Sequence, residues 1–142
     1  MADHEAAEPV LDSSALLAYL GNEPGAAIVS DAIAGGSSIS TVNLGEVLSL
    51  LATRRKAPAD VASELTDRGL LGGAITVEPF TIADAIEAAR LRPLTRSAGL
   101  STGDRACLAL ARRLSTSVVT GDVAWTQLTI DVEVRMIRDP AR

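Results

Sequence analysis

Apolar and polar positions alternate with two periods along this chain. Short apolar or β-branched runs predict strands, and longer stretches with a three- and four-residue repeat predict helices. Pro9 to Leu11 is a short apolar strand that runs into Asp12-Ser13-Ser14-Ala15-Leu16-Leu17-Ala18-Tyr19-Leu20, a helix that Gly21 stops. Ala26 to Ala34 reads as a second helix closed by Gly35-Gly36, and Ser38 to Ser40 as a weak strand. A stronger helix, Val42 to Arg55, ends in Arg54-Arg55-Lys56, where positive charge suits the helix dipole. Pro58 opens another, carried to Leu71 and broken by Gly72-Gly73. Ala74 to Val77 is a strand, and Thr81 to Leu91 a helix with Ile82, Ala85, Ile86 and Ala89 on one face. A loop rich in Arg, Pro, Ser and Gly follows from Arg92 to Ser101. The chain then gives a helix from Thr102 to Leu114, a strand at Ser117 to Thr120, a turn at Gly121-Asp122, a helical piece around Trp125 and a last strand from Val132 to Ile137. Five short strands separated by helices describe an α/β three-layer sandwich with a mostly parallel sheet.

The length of 142 residues suits one domain, assigned here to residues 9–142 behind a polar, acidic tail at 1–8. That tail has neither a basic start nor an apolar core, so it does not read as a secretory signal, and no apolar run reaches membrane-spanning length. A soluble intracellular protein, without a membrane partner, is the expectation. His4, the only histidine, lies in the tail, which takes histidine chemistry out of the picture. With Tyr19, Phe80 and Trp125 as the only aromatic residues, the core is aliphatic and base stacking does not dominate any nucleic-acid contact. A net charge of -5 excludes a protein whose main task is to coat phosphates. It does not exclude an enzyme that acts on one, because bound cations cancel the charge of an acidic pocket. Cys107, among Ala106, Leu108, Leu110 and Ala111, reads as a buried apolar thiol.

The candidate chemistry lies in four acids. Asp12, Glu46, Asp104 and Asp122 each stand where a strand gives way to a helix or in the first turn of one. Strands of a parallel sheet end on one side, so these acids converge although distant in sequence. A hard divalent ion with oxygen ligands is the usual use of such a cluster. Each acid also has a plainer reading. Asp12 and Asp122 can cap the helices that follow, and Asn43-x-x-Glu46 and Ser101-x-x-Asp104 both have the form of a capping box. The two readings coexist, since an acid at a helix N-terminus stays ionised and remains a ligand.

Four segments together resemble the PIN-domain ribonucleases, and among them toxins of the VapC type. They are Val10-Leu11-Asp12-Ser13-Ser14-Ala15-Leu16-Leu17-Ala18, Asn43-Leu44-Gly45-Glu46-Val47, Leu100 to Ala111 around Asp104, and Val119-Thr120-Gly121-Asp122-Val123-Ala124-Trp125. The resemblance covers about residues 9 to 138. It implies a PIN-like sheet in the order 3-2-1-4-5 with a crevice between Asp12 and Asp122. It implies Asp12, Glu46, Asp104 and Asp122 as catalytic ligands of Mg2+ or Mn2+, with Ser14 and Thr120 in support. It also implies metal-dependent endoribonuclease activity: hydrolysis of RNA by a toxin that a cognate antitoxin neutralises and that pairs as a homodimer. The alternative is a PIN-like module that binds RNA or a partner without cleaving.

Other phosphoryl folds fit less well. A receiver domain needs a lysine near its last strand, and the only lysine is Lys56; a haloacid-dehalogenase-type phosphatase needs an acid where Ser14 stands. Arg92 and Arg96, before the Asp104 helix, are candidate RNA contacts, with solvated surface as the plainer reading. The apolar faces at Leu16 to Leu20, Ile28 to Ile33 and Val47 to Leu51 are candidates for dimer and antitoxin contacts, with core packing as the alternative.

Overall fold

A computed structural model describes residues 7–138. The tail's His4 lies outside the described residues. Strands β1 (Val10–Leu11), β2 (Ser37–Ser40), β3 (Ile75–Glu78), β4 (Val118–Thr120) and β5 (Val134–Met136) form one sheet in the order β3-β2-β1-β4-β5. Every strand pairing in it is parallel. Helices α1 (Ser13–Leu20), α2 (Ala26–Ala34), α3 (Thr41–Ala52) and α4 (Pro58–Asp67) connect the first three strands, and α5 (Ile82–Thr95) and α6 (Thr102–Arg113) lie between β3 and β4.

The sheet is covered on both faces, so β1 and the Val118-Val119 pair of β4 carry consecutive buried apolar residues rather than alternating ones, and even the serines of β2 are buried. Leu11 and Val119 point into a core shared with Leu16, Val29, Val47 and Leu65. Their strand neighbours Val10 and Val118 point the other way, into a core with Leu91, Leu108, Leu110 and Trp125. No helix among the described residues is long and apolar enough to cross a membrane.

Several expected boundaries shift. Helix α3 ends at Ala52 rather than Arg55, because Arg55 turns to a φ of 64° and the Lys56 amide bonds back to Leu51. Arg54, Arg55 and Lys56 therefore lie beyond the helix. Helix α4 ends at Asp67, where Gly69 at a φ of 78° breaks it before Gly72-Gly73 is reached. The expected loop from Arg92 is instead helical. Helix α5 runs through Pro93 to Thr95, and a 3-10 turn, Arg96–Ala98, leads to Gly99. Proline removes one backbone donor, but near a helix end packing by buried Leu91 and Thr95 outweighs that loss.

The apolar faces are also redistributed. Leu16, Val29, Ile33, Val47 and Leu51, expected to leave surplus surface, are buried in the core, and of the large hydrophobic residues of those helices only Ile28 and Leu50 are exposed. Helix α5 reverses its expected face: Ile82 and Ile86 are 83% and 68% exposed, while Asp84, Ala88, Leu91 and Thr95 point inward.

Candidate active site

The crevice forms where the chain reverses its winding. From β1 the chain leaves toward β2, whereas β4 on its other side is reached through α5 and α6, so β1 and β4 are the switch point of the sheet. Asp12 follows β1 directly, and its amide donates to the carbonyl of Val119 at 3.1 Å, fixing the end of one strand to the other. The Asp12 carboxylate is 3% exposed and accepts three bonds: from the Ala15 amide at 2.8 Å, the Ser14 hydroxyl at 2.7 Å and the Thr120 hydroxyl at 2.5 Å. Ser14 Oγ also accepts from the Gly121 amide at 2.9 Å, and Thr120 Oγ1 from the Asp122 amide at 3.0 Å. Ser14 and Thr120 thus lace the ends of β1 and β4 together around Asp12.

The other acids approach on helices. Helices α3 and α6 pack together, which brings Glu46 against the first turn of α6. Glu46 Oε1 accepts from the Ser13 hydroxyl at 2.5 Å and from Asn43 Nδ2 at 2.9 Å. Asp104 Oδ2 accepts from the Ser101 amide at 2.9 Å, and Ser101 Oγ from the Asp104 amide at 3.1 Å. Asp122 Oδ1 accepts from the Ala124 amide at 3.0 Å.

The capping geometry is thus present for three acids. Asp12 and Asp122 are N-caps, and Ser101 and Asp104 complete a capping box. Asn43-x-x-Glu46 is not one: Ser40 caps α3, one turn earlier, and Asn43 turns its side chain to Glu46 instead.

Electrostatics separates these acids from ordinary caps. Burial pushes the Asp12 carboxyl up to about 6, against hydrogen bonds from Thr120, Ala15 and Ser14 that pull it down, and the charge of Asp104 pushes it further up. Asp104 is also raised, first by burial and then, against its bonds to Ser101, by the charges of Asp122 and Glu46. Among the described residues no lysine or arginine forms an ion pair with any of the four. Cys107, fully buried in α6, feels the same field: burial and the charges of Asp12, Asp104 and Glu46 raise its thiol well above the usual range.

These donors fit a hard divalent cation in their chemistry: all are carboxylate oxygens that repel one another and, among the described residues, have no ion-paired counter-charge. In this conformation the set is open, since among the described residues no three Asp, Glu, His or Cys side chains gather closely enough to chelate one ion. The four acids share a field, while their individual oxygens are held by hydroxyls and amides. Arg92, in the last turn of α5, and Arg96, in the following 3-10 turn, are both exposed. Arg105 is turned to the backbone, donating to the Leu100 carbonyl at 2.8 Å. Sequence reasoning did not single out Asn43 and Gly103. Asn43 was visible only as a supposed cap, and nothing in the local pattern marks Gly103.

A family model described as the PIN domain matches residues 10–130. No curated protein matches the chain. Among solved structures, the fold is similar to FitAcB from Neisseria gonorrhoeae, at 20% identity over 94% of this chain and 98% of that one, with a TM-score of 0.67. It is similar to a toxin-antitoxin complex from Klebsiella pneumoniae, at 15% identity over 92% of this chain and 98% of that one, with a TM-score of 0.65. DNA-bound VapBC from Salmonella typhimurium matches at 12% identity over 92% of this chain and 98% of that one, with a TM-score of 0.67.

Proposed function

The chain belongs to the PIN-domain family, and from that premise we propose that it is a metal-dependent endoribonuclease, the toxin of a VapBC-type pair that a cognate antitoxin neutralises. The observation that carries this reading is the electrostatic isolation of the acids. Asp12 and Asp104 are raised by burial and by neighbouring negative charge, and among the described residues no basic side chain forms an ion pair with them. A fold that needed these aspartates only as caps gains nothing from placing them in one another's field.

Asp12, Glu46, Asp104 and Asp122 would hold Mg2+ or Mn2+. A bound ion of this kind makes a water nucleophilic near neutral pH and stabilises the charge that builds on the phosphate. The chain's own part is orientation. Ser14 and Thr120 hold both oxygens of Asp12, and Ser13 and Asn43 hold one oxygen of Glu46, leaving its other oxygen outside those bonds. Arg92 and Arg96 supply exposed positive charge for an RNA backbone. The active form is a homodimer in the bacterial cytoplasm, and the fold similarity to toxin-antitoxin complexes supports an antitoxin as its partner.

The second reading is a PIN-like module that binds without cleaving, and one observation favours it: three of the acids already have complete capping roles. Cleavage of total RNA with and without chelator, and after re-addition of Mn2+, decides between them. The nuclease reading expects cleavage that chelation abolishes and Mn2+ restores, and that is lost in Asp12→Asn and Asp122→Asn. RNA binding without cleavage at any metal concentration supports the module.

A further inference from the structure

Glu46 is the one acid of the four that caps nothing, and its position depends on a gap in the neighbouring helix. Gly103 lies in the first turn of α6 and is buried. A Cβ built on it would strike the Glu46 carboxylate, and its three nearest neighbours are all atoms of that group: Oε2, Cδ and Oε1. Gly103 has no positive φ, so its backbone does not need glycine. What an added side chain would meet first is the carboxylate.

Asn43 closes the arrangement from the other side. It is 1% exposed, and its amide nitrogen donates to Glu46 Oε1 at 2.9 Å and to the Gly103 carbonyl at 3.0 Å. One side chain therefore binds the acid and the backbone of the residue that makes room for it. Its Oδ1 is buried without a partner among the described residues. Burying an unpaired acceptor is costly, so the asparagine is retained for its donors. Ser13 adds a second hold on the same Oε1 at 2.5 Å.

We propose that Gly103 and Asn43 form a seat for Glu46, Asn43 as a positioning residue and Gly103 by the absence of a side chain, so that this exposed acid is aimed into the pocket before any ion arrives. The seat itself is independent of the nuclease assignment; its consequence for metal binding rests on that reading.

Gly45 provides the control. It precedes Glu46 in α3, and a Cβ there would meet nothing within 4 Å. Alanine replaces glycine favourably inside helices, so Gly45→Ala should raise the melting midpoint by roughly 2–4 °C. Gly103→Ala should give no such gain in the wild-type background, because it expels the carboxylate and breaks the Asn43 and Ser13 bonds. In a Glu46→Ala background the gain should appear. Thermal melts of these single and double variants without metal test the seat. A Gly103→Ala effect that is the same with and without Glu46 overturns it.

Calorimetric titration with Mn2+ tests the consequence. Asn43→Ala, Gly103→Ala and Glu46→Ala should each weaken binding by about 10- to 100-fold, as loss of a ligand's supporting partners does. The Gly103→Ala, Glu46→Ala double variant should bind no more weakly than Glu46→Ala alone. Unchanged Mn2+ affinity in Gly103→Ala overturns the positioning role. Failure of the wild type to bind Mn2+ overturns the metal reading but leaves the melts to judge the seat.

Discussion

Two neighbouring helices of this protein begin with the same device and put it to opposite electrostatic use. Thr81 and Asp84 form a complete capping box on α5, and Ser101 and Asp104 form one on α6, with the same reciprocal bonds. Asp84 is 2% exposed and meets Arg113, whose Nε donates at 2.8 Å, so its carboxyl is held below the usual range despite its burial. Asp104 is raised, by burial first and then by the charges of Asp122 and Glu46, with no arginine to offset either among the described residues. Local geometry is thus the same in both, and what distinguishes a structural acid from a candidate ligand is the sign of the charge that tertiary packing brings to it. Arg113 also reaches the end of β3, since its guanidinium lies 3.8 Å from Glu78.

The comparison breaks most visibly in catalysis. Asp104→Asn should lower RNA cleavage by 100-fold or more, whereas Asp84→Asn should leave the rate of the folded protein within about twofold; equal losses would dissolve the distinction. Stability should move in opposite directions. Asp12 carries the largest repulsive and desolvation cost: a carboxyl moved from 3.8 to about 6 corresponds to roughly 3 kcal/mol. Asp12→Asn should therefore stabilise the metal-free protein by up to about 3 kcal/mol, reduced by any loss in its hydrogen bonds. Asp84→Asn should destabilise by about 1–3 kcal/mol, because Arg113 loses its partner at a site only partly open to water. Denaturant unfolding at neutral pH reads both signs.

A pH series sharpens this. The raised Asp12 contributes its stability below pH 3.8 and loses it as pH rises through about 6, so the metal-free wild type should weaken over that interval and Asp12→Asn should not. The lowered Asp84 acts the other way, adding stability above its unfolded value and losing it as acid is added, so Asp84→Asn should flatten the acid limb alone. The smallest effect is ligand linkage. Magnesium at ten times its dissociation constant should stabilise the wild type by about 1.4 kcal/mol, keep that effect in Asp84→Asn and lose most of it in Asp104→Asn. An equal gain in both variants would place the ion elsewhere.

The order of elements was legible because short apolar runs and helical repeats survive in a two-layered covering of a parallel sheet. Which way a helix faces was not. Ile82, Ala85, Ile86 and Ala89 share a face of α5, yet the inward face carries Asp84 and Thr95, because a distant arginine satisfies one and the backbone carbonyl of Leu91 the other. Periodicity shows that a stripe exists, and only packing shows what it meets. The same limit hid the surroundings of Glu46. Asn43 is three residues before it and looks like a cap, and the feature that excludes capping is Ser40, whose hydroxyl takes the Val42 amide one turn earlier. Gly103 could not be read at all, since its need for a missing side chain comes from a residue in another helix. Pro93 misled in the opposite direction: a local breaker was overruled by buried neighbours on both sides.

The chain's single cysteine gives this architecture a built-in reporter. Cys107 is buried in α6, and both its seclusion and the charge of the acids suppress the thiolate, the form that attacks alkylating reagents. Modification must therefore wait for α6 to leave the sheet. The rate of labelling by a neutral maleimide, followed by mass, then counts openings of the layer that carries Asp104, one event per molecule and with no second thiol to confuse it. Anything that tightens the acids from above would slow that clock.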